Sequence, residues 1–282
     1  MDVFDHTLAS MNTRLSLLVP GLARDEGESL VCAMAGLLDA QERMMSRFRP
    51  DAELFAVNAR AHAGPVRVSP ALWAVLAACA DHWRRTEGAF DIACGPIEGR
   101  AEHGAFSDVR LDRRRRSVSF ARRGLTLDLG AIGKGVALRR VGQLLRRRRI
   151  AHAFVSFGES SILTVGARPC GGDWEIGLDA PPGRDGSAPT LSIRDGSIST
   201  SGQASGRAPI IDPTTARASA SGRVVSVACG CPIDAEVLST ALLVRPAHRA
   251  RILARYRPAR AFEVAIARRD GAATSRVVWN HG

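Results

Sequence analysis

Helical and strand patterns alternate irregularly along this chain, and their order is the feature that most constrains its fold. Amphipathic helices are predicted over residues 26–45 and from the Ser69-Pro70 cap toward Arg85, and short strands follow them. Doubly wound folds need a regular alternation of strand and helix, which this order does not provide. We therefore predict an α+β fold in which helices pack on mixed or antiparallel sheets. Further strands are predicted at 15–19, 109–111, 117–120, 125–128, 153–157, 161–165, 174–178, 191–193, 198–200, 224–228 and 261–267, and further helices at 134–149 and 233–244.

Length and composition fit one globular unit. A chain of 282 residues with 45% hydrophobic residues can bury a sizeable core. No internal repeat or clean linker divides it, so we predict a single two-lobed domain over residues 1–282. No apolar stretch approaches the roughly 20 residues that span a bilayer, and the first residues lack the basic and apolar regions of a secretory signal. We therefore predict a cytoplasmic protein without a membrane span.

Two arginine runs supply much of the net charge of +11. Arg113 to Arg116 lie between two apolar stretches, which predicts a hairpin turn. Arg146 to Arg149 end a predicted helix, where cations complement the helix dipole. Solvated turns and helix ends account for both runs. Nucleic-acid binding is the weaker interpretation, because no aromatic stacking platform accompanies the arginines.

The six cysteines are scattered along the chain. Cys229 and Cys231 form the closest pair, and their spacing is poor for a structural zinc site. We predict that most of the six are small buried residues in a reducing compartment.

The glycine-rich segment Asp128-Leu-Gly-Ala-Ile-Gly-Lys-Gly135 contains the only lysine of the chain. It follows a predicted strand and precedes a predicted helix, and backbone N–H groups at such a helix start form an anion site. Lys134 adds a flexible point charge that can reach a phosphate, and Asp128 could accept hydrogen bonds from a ligand. The segment is not a Walker A loop, because Gly135 stands where the metal-binding hydroxyl would be. The alternatives are chance retention of one lysine and a helix-capping role for Asp128.

A later helix carries Glu236 and Thr240 four residues apart, and therefore on one face. A carboxylate and a hydroxyl so placed can provide oxygen ligands to Mg²⁺. The alternative is an acidic residue favoured by the helix dipole together with a buried threonine. Asp234 points elsewhere and is predicted to cap the helix.

Two further turns could contact a ligand. Gly88-Ala-Phe-Asp91 follows a helix and could present backbone groups and a carboxylate to a ring system. A C-cap glycine followed by a core phenylalanine is the commoner arrangement for such a sequence. Ile210-Ile-Asp-Pro-Thr214 is typical of a strand that enters an Asp-Pro turn.

These segments, in this order, resemble the ApbE family of FAD:protein FMN transferases. Ser46 to Leu54 with Asn58 is similar to the family's S-x-Y-x-P-x-S-x-L…N segment, and Asp128 to Gly135 is similar to its DLGGIAKG core. The other matching segments are Met11-Asn-Thr13, Gly88 to Pro96 (GAFD…GP), Val155 to Gly158 (V-N-L-G-G), Thr200 to Gly202 (TSG), Ile210 to Pro213 (HIIDP) and Ala235 to Ala241 (ADALSTA). The resemblance implies the ApbE-like, T-fold-like version of an α+β fold.

The resemblance also implies an activity and a site. Members of the family use Mg²⁺ to cleave FAD and transfer FMN to a serine or threonine hydroxyl of a partner flavoprotein, with release of AMP. By position, Asp128 and Lys134 would be the catalytic residues that orient and neutralise the pyrophosphate. The FAD site would include Met11, Phe48, Ala89, Phe90, Asp91, Asp128, Lys134, Ile210 and Ile211, and the main-chain oxygen of Ala131 with Glu236 and Thr240 would hold Mg²⁺.

Four departures from the family pattern bear on activity. Glu236 replaces the metal-binding aspartate, and Pro209 replaces a histidine that is a candidate base for the acceptor hydroxyl. Phe48 replaces a tyrosine, and Glu159-Ser160 replaces a glycine and an acidic residue. Two alternatives therefore stay open beside a transferase. One is an FAD-binding protein without transfer activity, and the other is an FAD pyrophosphatase that releases FMN and AMP.

Overall fold

The computed structural model describes residues 2–95, 103–178, 190–202, 210–219, 223–256, 259–269 and 272–281, with residues from 263 onward described as backbone only. Its helices are α1 Arg24–Met45, α2 Glu53–Arg60, α3 Pro70–Arg85, α4 Gly130–Arg147, α5 Pro232–Val244 and α6 Arg249–Leu253. Its strands are β1 Val3–Ser10, β2 Thr13–Pro20, β3 Val66–Arg67, β4 Val109–Asp112, β5 Ser117–Phe120, β6 Ala153–Phe157, β7 Ser161–Val165, β8 Trp174–Gly177, β9 Thr190–Ile193, β10 Ser197–Gly202, β11 Ile211–Asp212, β12 Arg217–Ala218, β13 Arg223–Cys229, β14 Ala259–Arg269 and β15 Ala272–His281.

One large sheet dominates the described part of the chain. Its eight strands run in the order β1-β2-β6-β7-β10-β13-β14-β15, and every neighbouring pair is antiparallel. A three-stranded sheet, β3-β5-β4, and the hairpins β8-β9 and β11-β12 stand apart from it. Helices with antiparallel sheets define an α+β fold, so the predicted fold class is confirmed.

The large sheet is covered on both faces at β7, whose five residues are all buried. Leu163 packs with Leu38 of α1 and Leu138 of α4, whereas Ile162 packs with Ile193 of β9. Successive side chains of a strand point to opposite faces, so β7 contributes to two core layers at once. This enclosure also surrounds Ser161, the first residue of β7.

Helices α4 and α5 lie against each other at an unusually close approach. A Cβ atom at Gly135 would lie 2.7 Å from the carbonyl oxygen of Pro232 and 2.8 Å from Cγ of Glu236. Only glycine lets the two backbones come this close without displacement. The contact brings the turn of α4 that carries Lys134 next to Glu236 of α5.

Several local predictions are confirmed. Ser69 Oγ accepts a hydrogen bond from the N–H of Leu72 at 3.1 Å, as a helix cap should. Arg113 to Arg116 form the turn between β4 and β5, and α4 ends at Arg147 inside the second arginine run. Both runs therefore lie where the charge argument expected them.

The predicted strand at 125–128 is wrong. Its backbone bonds instead to a side chain, because the Asn58 amide donates to the Leu127 carbonyl at 3.0 Å and accepts from the Leu127 N–H at 2.9 Å. The Asp128 N–H donates to the Ile92 carbonyl at 2.8 Å. The segment therefore bonds to a side chain and to the loop after α3, and it joins no sheet.

The predicted start of the next helix is also wrong. Helix α4 begins at Gly130 rather than at Lys134, so the glycines expected in a turn lie inside the helix. Tertiary contact explains this difference, since Gly135 is needed for the close packing on α5. Sequence patterns also did not predict β1, α2 or β15.

The cysteine prediction is wrong in its main point. All six thiols are free, but Cys79 is the only one that is fully buried; Cys32 and Cys170 are exposed and the other three are half-buried. The general tendency of cysteine to be buried did not decide these positions. Among the described residues, no helix is long and apolar enough to cross a bilayer.

Candidate functional site

The site is built around the first turns of α4. Asp128 lies just before the helix, and its Oδ1 accepts a hydrogen bond from the N–H of Gly130 at 2.8 Å. Its other oxygen forms an ion pair with Nε of Arg47 at 3.0 Å. The N-cap position itself is Leu129, which makes no side-chain cap, so Asp128 satisfies the first N–H of α4 from one residue earlier, while its other oxygen faces an arginine at a half-exposed position.

Lys134 points from α4 toward the start of β7. Its Nζ donates to Oγ of Ser160 and, at 2.6 Å, to Oγ of Ser161. Ser161 is fully buried and donates in turn to Oε1 of Glu236. The ammonium and the carboxylate are thus joined through one enclosed hydroxyl, and we call these four residues (Lys134, Ser160, Ser161, Glu236) the lysine cluster.

Glu236 is 5% exposed. A carboxylate so deeply enclosed needs compensating partners, because transfer from water into protein disfavours the charged form. The hydroxyl of Ser161, backed by the Lys134 ammonium, supplies that compensation. Removing either partner would leave a charged group poorly solvated.

Thr240 follows Glu236 by one turn of α5 and is only half-buried, whereas the sequence alternative expected it to be buried. Its Oγ1 lies 3.3 Å from Oγ of Ser201, which also lies 2.8 Å from Oγ of Ser239. Ser239 donates to the Glu236 carbonyl at 3.1 Å. These three hydroxyls are therefore linked to one another and to the main chain of Glu236, whereas Ser161 contacts its carboxylate.

Ala131 is the second residue of α4. In an α-helix its carbonyl points toward the residue four positions on, which is Gly135, and Gly135 contacts Glu236. The carbonyl of Ala131 and the side chains of Glu236 and Thr240 are hard oxygen donors of the kind that Mg²⁺ prefers. The donor set therefore fits Mg²⁺, although a group of three or more His, Cys, Asp or Glu residues suited to a metal is absent from the described residues.

Asp234 does not cap α5 as predicted. The residue before the helix is Cys231, which makes no side-chain cap. Asp234 lies in the first turn instead, with Oδ1 3.8 Å from Nε2 of His82. Burial lowers the pKa of His82 below its usual 6.5, against the opposing effect of the Asp234 charge.

The loop after α3 is held by Asp91. Its Oδ2 accepts from the indole N–H of Trp83 at 3.0 Å and from the N–H of Phe106 at 2.9 Å, and its Oδ1 accepts from the N–H of Ala93 at 2.7 Å. Burial raises the pKa of Asp91 above its usual value, and these hydrogen bonds oppose the shift. The carboxylate therefore fixes the shape of the loop.

Phe90 is the core phenylalanine of the commoner arrangement, but Gly88 is not the C-cap, because α3 ends at Arg85 with Thr86 as its C-cap. Gly88 follows with a φ of +77°, and its N–H donates to the Trp83 carbonyl at 2.8 Å. The side chains of Ala89 and Phe90 are each 1% exposed and belong to the core. Contact of these two residues with a ligand could therefore involve only their backbone.

Three motif aspartates converge on one thiol. The pKa of Cys94 is raised to about 11 by burial and then by the negative charges of Asp91, Asp128 and Asp212. Asp212 Oδ1 accepts from the N–H of Thr214 at 2.8 Å, so the predicted Asp-Pro turn is present. The loop after α3, the start of α4 and the β11–β12 hairpin thus each place a carboxylate within electrostatic range of Cys94.

Ile210 and Ile211 lie at the start of the β11–β12 hairpin. Both are half-buried, and Ile210 packs against the core that also contains Phe90. Arg245, just after α5, contacts both the β11–β12 hairpin and the end of α3. It bonds to Oγ1 of Thr214 in the hairpin and donates to the carbonyl of Glu87, just after α3, at 3.5 Å. Pro209, the substituted histidine position, lies outside the described residues.

Met11 and Phe48 lie at two borders of the site. Met11 is in the turn between β1 and β2 with a φ of +48°, half-buried against two core layers. That turn touches the β6–β7 turn, because a Cβ atom at Gly158 would lie 2.9 Å from Oγ1 of Thr13. Phe48 is 73% exposed, and the Arg47 guanidinium lies 4.3 Å from its ring centre.

Sequence patterns did not predict four residues at the site, of which three contact predicted site residues and the fourth, Arg245, contacts Glu87 and Thr214. Arg47 pairs with Asp128, Ser160 and Ser161 bind Lys134, and Arg245 joins two loops. Arg47 is adjacent to Phe48 in the matched segment, and Ser160 was noted only as a departure from it. Ser161 and Arg245 carried no local signal, because their partners are distant along the chain.

The structure thus gathers one ammonium, several hydroxyls and one carboxylate at the junction of α4, α5 and β7, a set of groups suited to a phosphate and a divalent cation. Comparison with known proteins shows which family this chain belongs to. The model of the ApbE family matches residues 11–263, so this chain belongs to the ApbE family.

Relatives and solved structures agree with this membership. A Treponema pallidum protein named FAD:protein FMN transferase is 31% identical over 202 residues, covering 59% of this chain and 55% of that protein. A Klebsiella pneumoniae protein of the same name is 24% identical over 83% of this chain and 76% of that protein. This chain therefore matches little more than half of the Treponema relative.

Two solved structures have the same fold. The flavin transferase ApbE from Vibrio cholerae superimposes with a TM-score of 0.80 at 22% identity, covering 98% of this chain and 97% of that one. The apo form of the Pseudomonas stutzeri flavinyl transferase ApbE gives a TM-score of 0.80 at 21% identity, covering 98% and 94%. The ApbE-like fold implied by the sequence motifs is confirmed.

Proposed function

We propose that this protein is an FAD:protein FMN transferase, which moves FMN from FAD to a serine or threonine hydroxyl of a partner flavoprotein and releases AMP. Its relatives carry that name. The observation that carries the proposal is the lysine cluster, in which a single ammonium faces a buried carboxylate across one hydroxyl. A phosphoryl transfer needs positioning and charge neutralisation more than covalent chemistry by the protein.

Lys134 is the residue that would bind the diphosphate of FAD. An ammonium donates three hydrogen bonds, and two of them go to Ser160 and Ser161 in this structure. The third can be donated to a phosphate oxygen. Asp128, held by Arg47 and by the first turn of α4, would orient the nucleotide at the same helix start.

Glu236, Thr240 and the Ala131 carbonyl would hold Mg²⁺. When bound, the cation supplies charge neutralisation for the departing AMP. Glu236 is one methylene longer than the aspartate of the family pattern, and its enclosure between α4 and β7 limits where its oxygens can lie. The hydroxyls of Ser161 and Ser201 would fix the two side chains that bind the metal.

Phe48, the backbone of Ala89 and Phe90, and the Ile210–Ile211 pair would contact the ring systems of FAD. Phe48 supports this role because its ring is exposed and already stacks with a guanidinium. Asp91 would act by shaping the loop, and Met11 would border the site from the neighbouring turn. We expect an acceptor flavoprotein as the partner, no nucleic acid, and a cytoplasmic location; these remain predictions.

Incubation with FAD, Mg²⁺ and a purified acceptor flavoprotein domain tests the proposal. Transfer gives a flavin-fluorescent acceptor band after denaturation, together with an equal amount of AMP. Asp128→Asn should reduce both products, whereas Asp112→Asn, a cap in the β4–β5 turn, should leave them unchanged. Both variants keep an oxygen for capping, so the difference reports the charge at the site.

Pro209 favours two other outcomes, because proline offers no base for the acceptor hydroxyl. Free FMN and AMP without a labelled acceptor would identify a pyrophosphatase. FAD that binds and stays intact would identify a binding protein. Either result would overturn the transferase proposal.

A further inference from the structure

We propose that Ser160 is an internal acceptor, so that the protein can attach FMN to its own chain. This inference rests on the proposed function, since FAD is the donor in both reactions. Its basis is a hydroxyl that accepts a hydrogen bond from the Lys134 ammonium, the group proposed above to bind the diphosphate of FAD. At the position of Ser160, the family pattern has an acidic residue rather than a nucleophile.

Ser160 differs from the other hydroxyls near the lysine. Ser161 is fully buried and donates its proton to Glu236, so it cannot approach a ligand. Thr240 lies on α5 and contacts Ser201. Ser160 is half-buried, lies in the β6–β7 turn and accepts a hydrogen bond from the ammonium without a further side-chain partner among those that Ser161 and Thr240 contact.

The backbone holds Ser160 in a fixed position. Its N–H donates to the Gly158 carbonyl at 2.7 Å, and its carbonyl accepts from the N–H of Thr200 at 2.8 Å. Gly158 and Glu159 have φ values of +62° and +64°, which sets the tight turn. A nucleophile fixed in this way loses little freedom when a substrate binds beside it.

The shared ammonium places the hydroxyl next to the diphosphate. Two acceptors bonded to one ammonium lie about 4 to 5 Å apart, given ordinary hydrogen-bond lengths and tetrahedral directions. A phosphate oxygen bound by Lys134 would therefore lie at that distance from Ser160 Oγ. The adjacent positive charge also favours the alkoxide form of the serine.

The transfer step balances as follows. Ser160 Oγ forms a bond to the phosphorus of the FMN half of FAD, and the anhydride bond from that phosphorus to the bridging oxygen breaks. AMP leaves with the electron pair of that bond, and the hydroxyl proton passes to water. The product is a phosphodiester between Ser160 and FMN, with one AMP released for each flavin attached.

The experiment uses the full chain with FAD and Mg²⁺ but without an acceptor. After denaturation, we expect flavin fluorescence on the chain, at no more than one flavin per chain and equal to the AMP released. Peptide mapping by mass spectrometry should locate the flavin on Ser160. Ser160→Ala should lose the label, Ser160→Thr should keep it, and Ser29→Ala, an exposed serine on α1, should label like the wild type.

Three results would contradict the proposal. The first is AMP release with a labelled added acceptor and an unlabelled chain, which leaves the transferase function intact and overturns only the internal acceptor. The second is a flavin that maps to another residue or persists in Ser160→Ala. The third is intact FAD with and without the acceptor domain, which overturns the transferase function as well. Mapping on the wild type decides the question even if Ser160→Ala does not fold.

Discussion

Two charged regions of this protein differ in what surrounds their charges. In the lysine cluster, one ammonium and one carboxylate are joined by a fully buried hydroxyl. Just after α3, Glu87 instead meets Arg251 at 2.7 Å and Arg255 at 2.9 Å in a surface group whose arginines are exposed. The first region has fewer charges and is enclosed, whereas the second has more charges and lies at the surface.

The difference shows that a functional site is indicated by the burial of its charged groups and not by their number. Ion pairs at the surface contribute little, because water and salt screen them. An enclosed pair cannot lose one member without leaving the other in a poorly solvated position. Substitutions in the two regions should therefore have very different effects, and the following predictions test that contrast.

Lys134→Ala should have the largest effect. We expect AMP release from FAD to fall about hundredfold or more, because a charged donor to the transferred group is lost. Arg251→Ala, which also removes a cation, should change the rate by less than about twofold. Thermal melts of both variants show whether they are folded. Equal losses in the two variants would remove Lys134 from the site.

Gly135→Ala should destabilise the protein by about 1–3 kcal/mol, because the methyl group would force α4 away from Pro232 and Glu236. The matched control is Gly36→Ala in α1, where the added Cβ meets nothing within 4 Å. That variant should gain about 0.5–1 kcal/mol. Urea unfolding measures both. If Gly135→Ala leaves the free energy of unfolding unchanged, α4 and α5 lie further apart than the 2.7 Å and 2.8 Å approaches at Gly135 imply.

Glu236→Gln should raise the Mg²⁺ concentration needed for half-maximal activity at least about tenfold, because a ligand charge is lost. Glu236→Asp should keep or raise activity if the geometry of the family pattern applies. Glu175→Gln, at an exposed position of β8, serves as the control. Removal of Mg²⁺ by a chelator should stop the reaction. An unchanged Mg²⁺ requirement in Glu236→Gln would exclude this residue as a ligand.

His82 should make stability depend on pH. Burial lowers its pKa below 6.5, so the unfolded chain binds a proton below that pH that the folded protein does not. The free energy of unfolding should therefore fall as the pH drops below 6.5, and this part of the fall should be absent in His82→Gln. The exposed His62, replaced by glutamine, is the control. Identical pH profiles for the wild type and His82→Gln would contradict the assignment.

Glu87→Gln should have the smallest effect. The carboxylate lies at the surface and its arginine partners are solvated, so we expect a slight loss of thermal stability at low salt and none in 1 M NaCl. Thermal melts at the two salt concentrations measure this. A large loss of thermal stability that does not depend on salt would show that charges in this surface group matter to the fold as much as those of the lysine cluster. That result would contradict the contrast between the two regions.

Local sequence patterns predicted most of the fold. The helical period in α1 and α3 and the short apolar runs of β6, β7 and β13 gave element types correctly, because burial on one or two faces leaves a periodic pattern. Bounds were less accurate, as at Gly130, where the glycines suggested a turn. Glycine is unfavourable in an isolated helix, and only the close contact with α5 makes it necessary at Gly135.

The strand predicted at 125–128 failed for a related reason. Its apolar alternation fits a strand, but Asn58, distant in sequence, occupies the backbone groups that a neighbouring strand would have bonded. A pattern of side chains cannot specify which partner satisfies the backbone. The missed strands β1 and β15 likewise depend on their neighbours in the sheet.

The candidate site was predictable only as separate segments. Family resemblance named Asp128, Lys134, Glu236 and Thr240, and the structure brings Lys134 and Glu236 into one cluster. It also shows that Ala89 and Phe90 are core side chains and that Asp91 is engaged by the protein itself. Arg47, Ser161 and Arg245 could not be found, because each matters through a contact with a residue far along the chain.

The sequence by itself determined the types of the main elements and the identity and order of the family motifs, since each of these depends on residues close together in the chain. Only the tertiary structure decided that Ser161 would link Lys134 to Glu236, residues supplied by β7, α4 and α5. The order of strands in the large sheet and the approach of two helices at Gly135 bring these groups together. Such contacts arise from packing between distant segments, for which local periodicity carries no information.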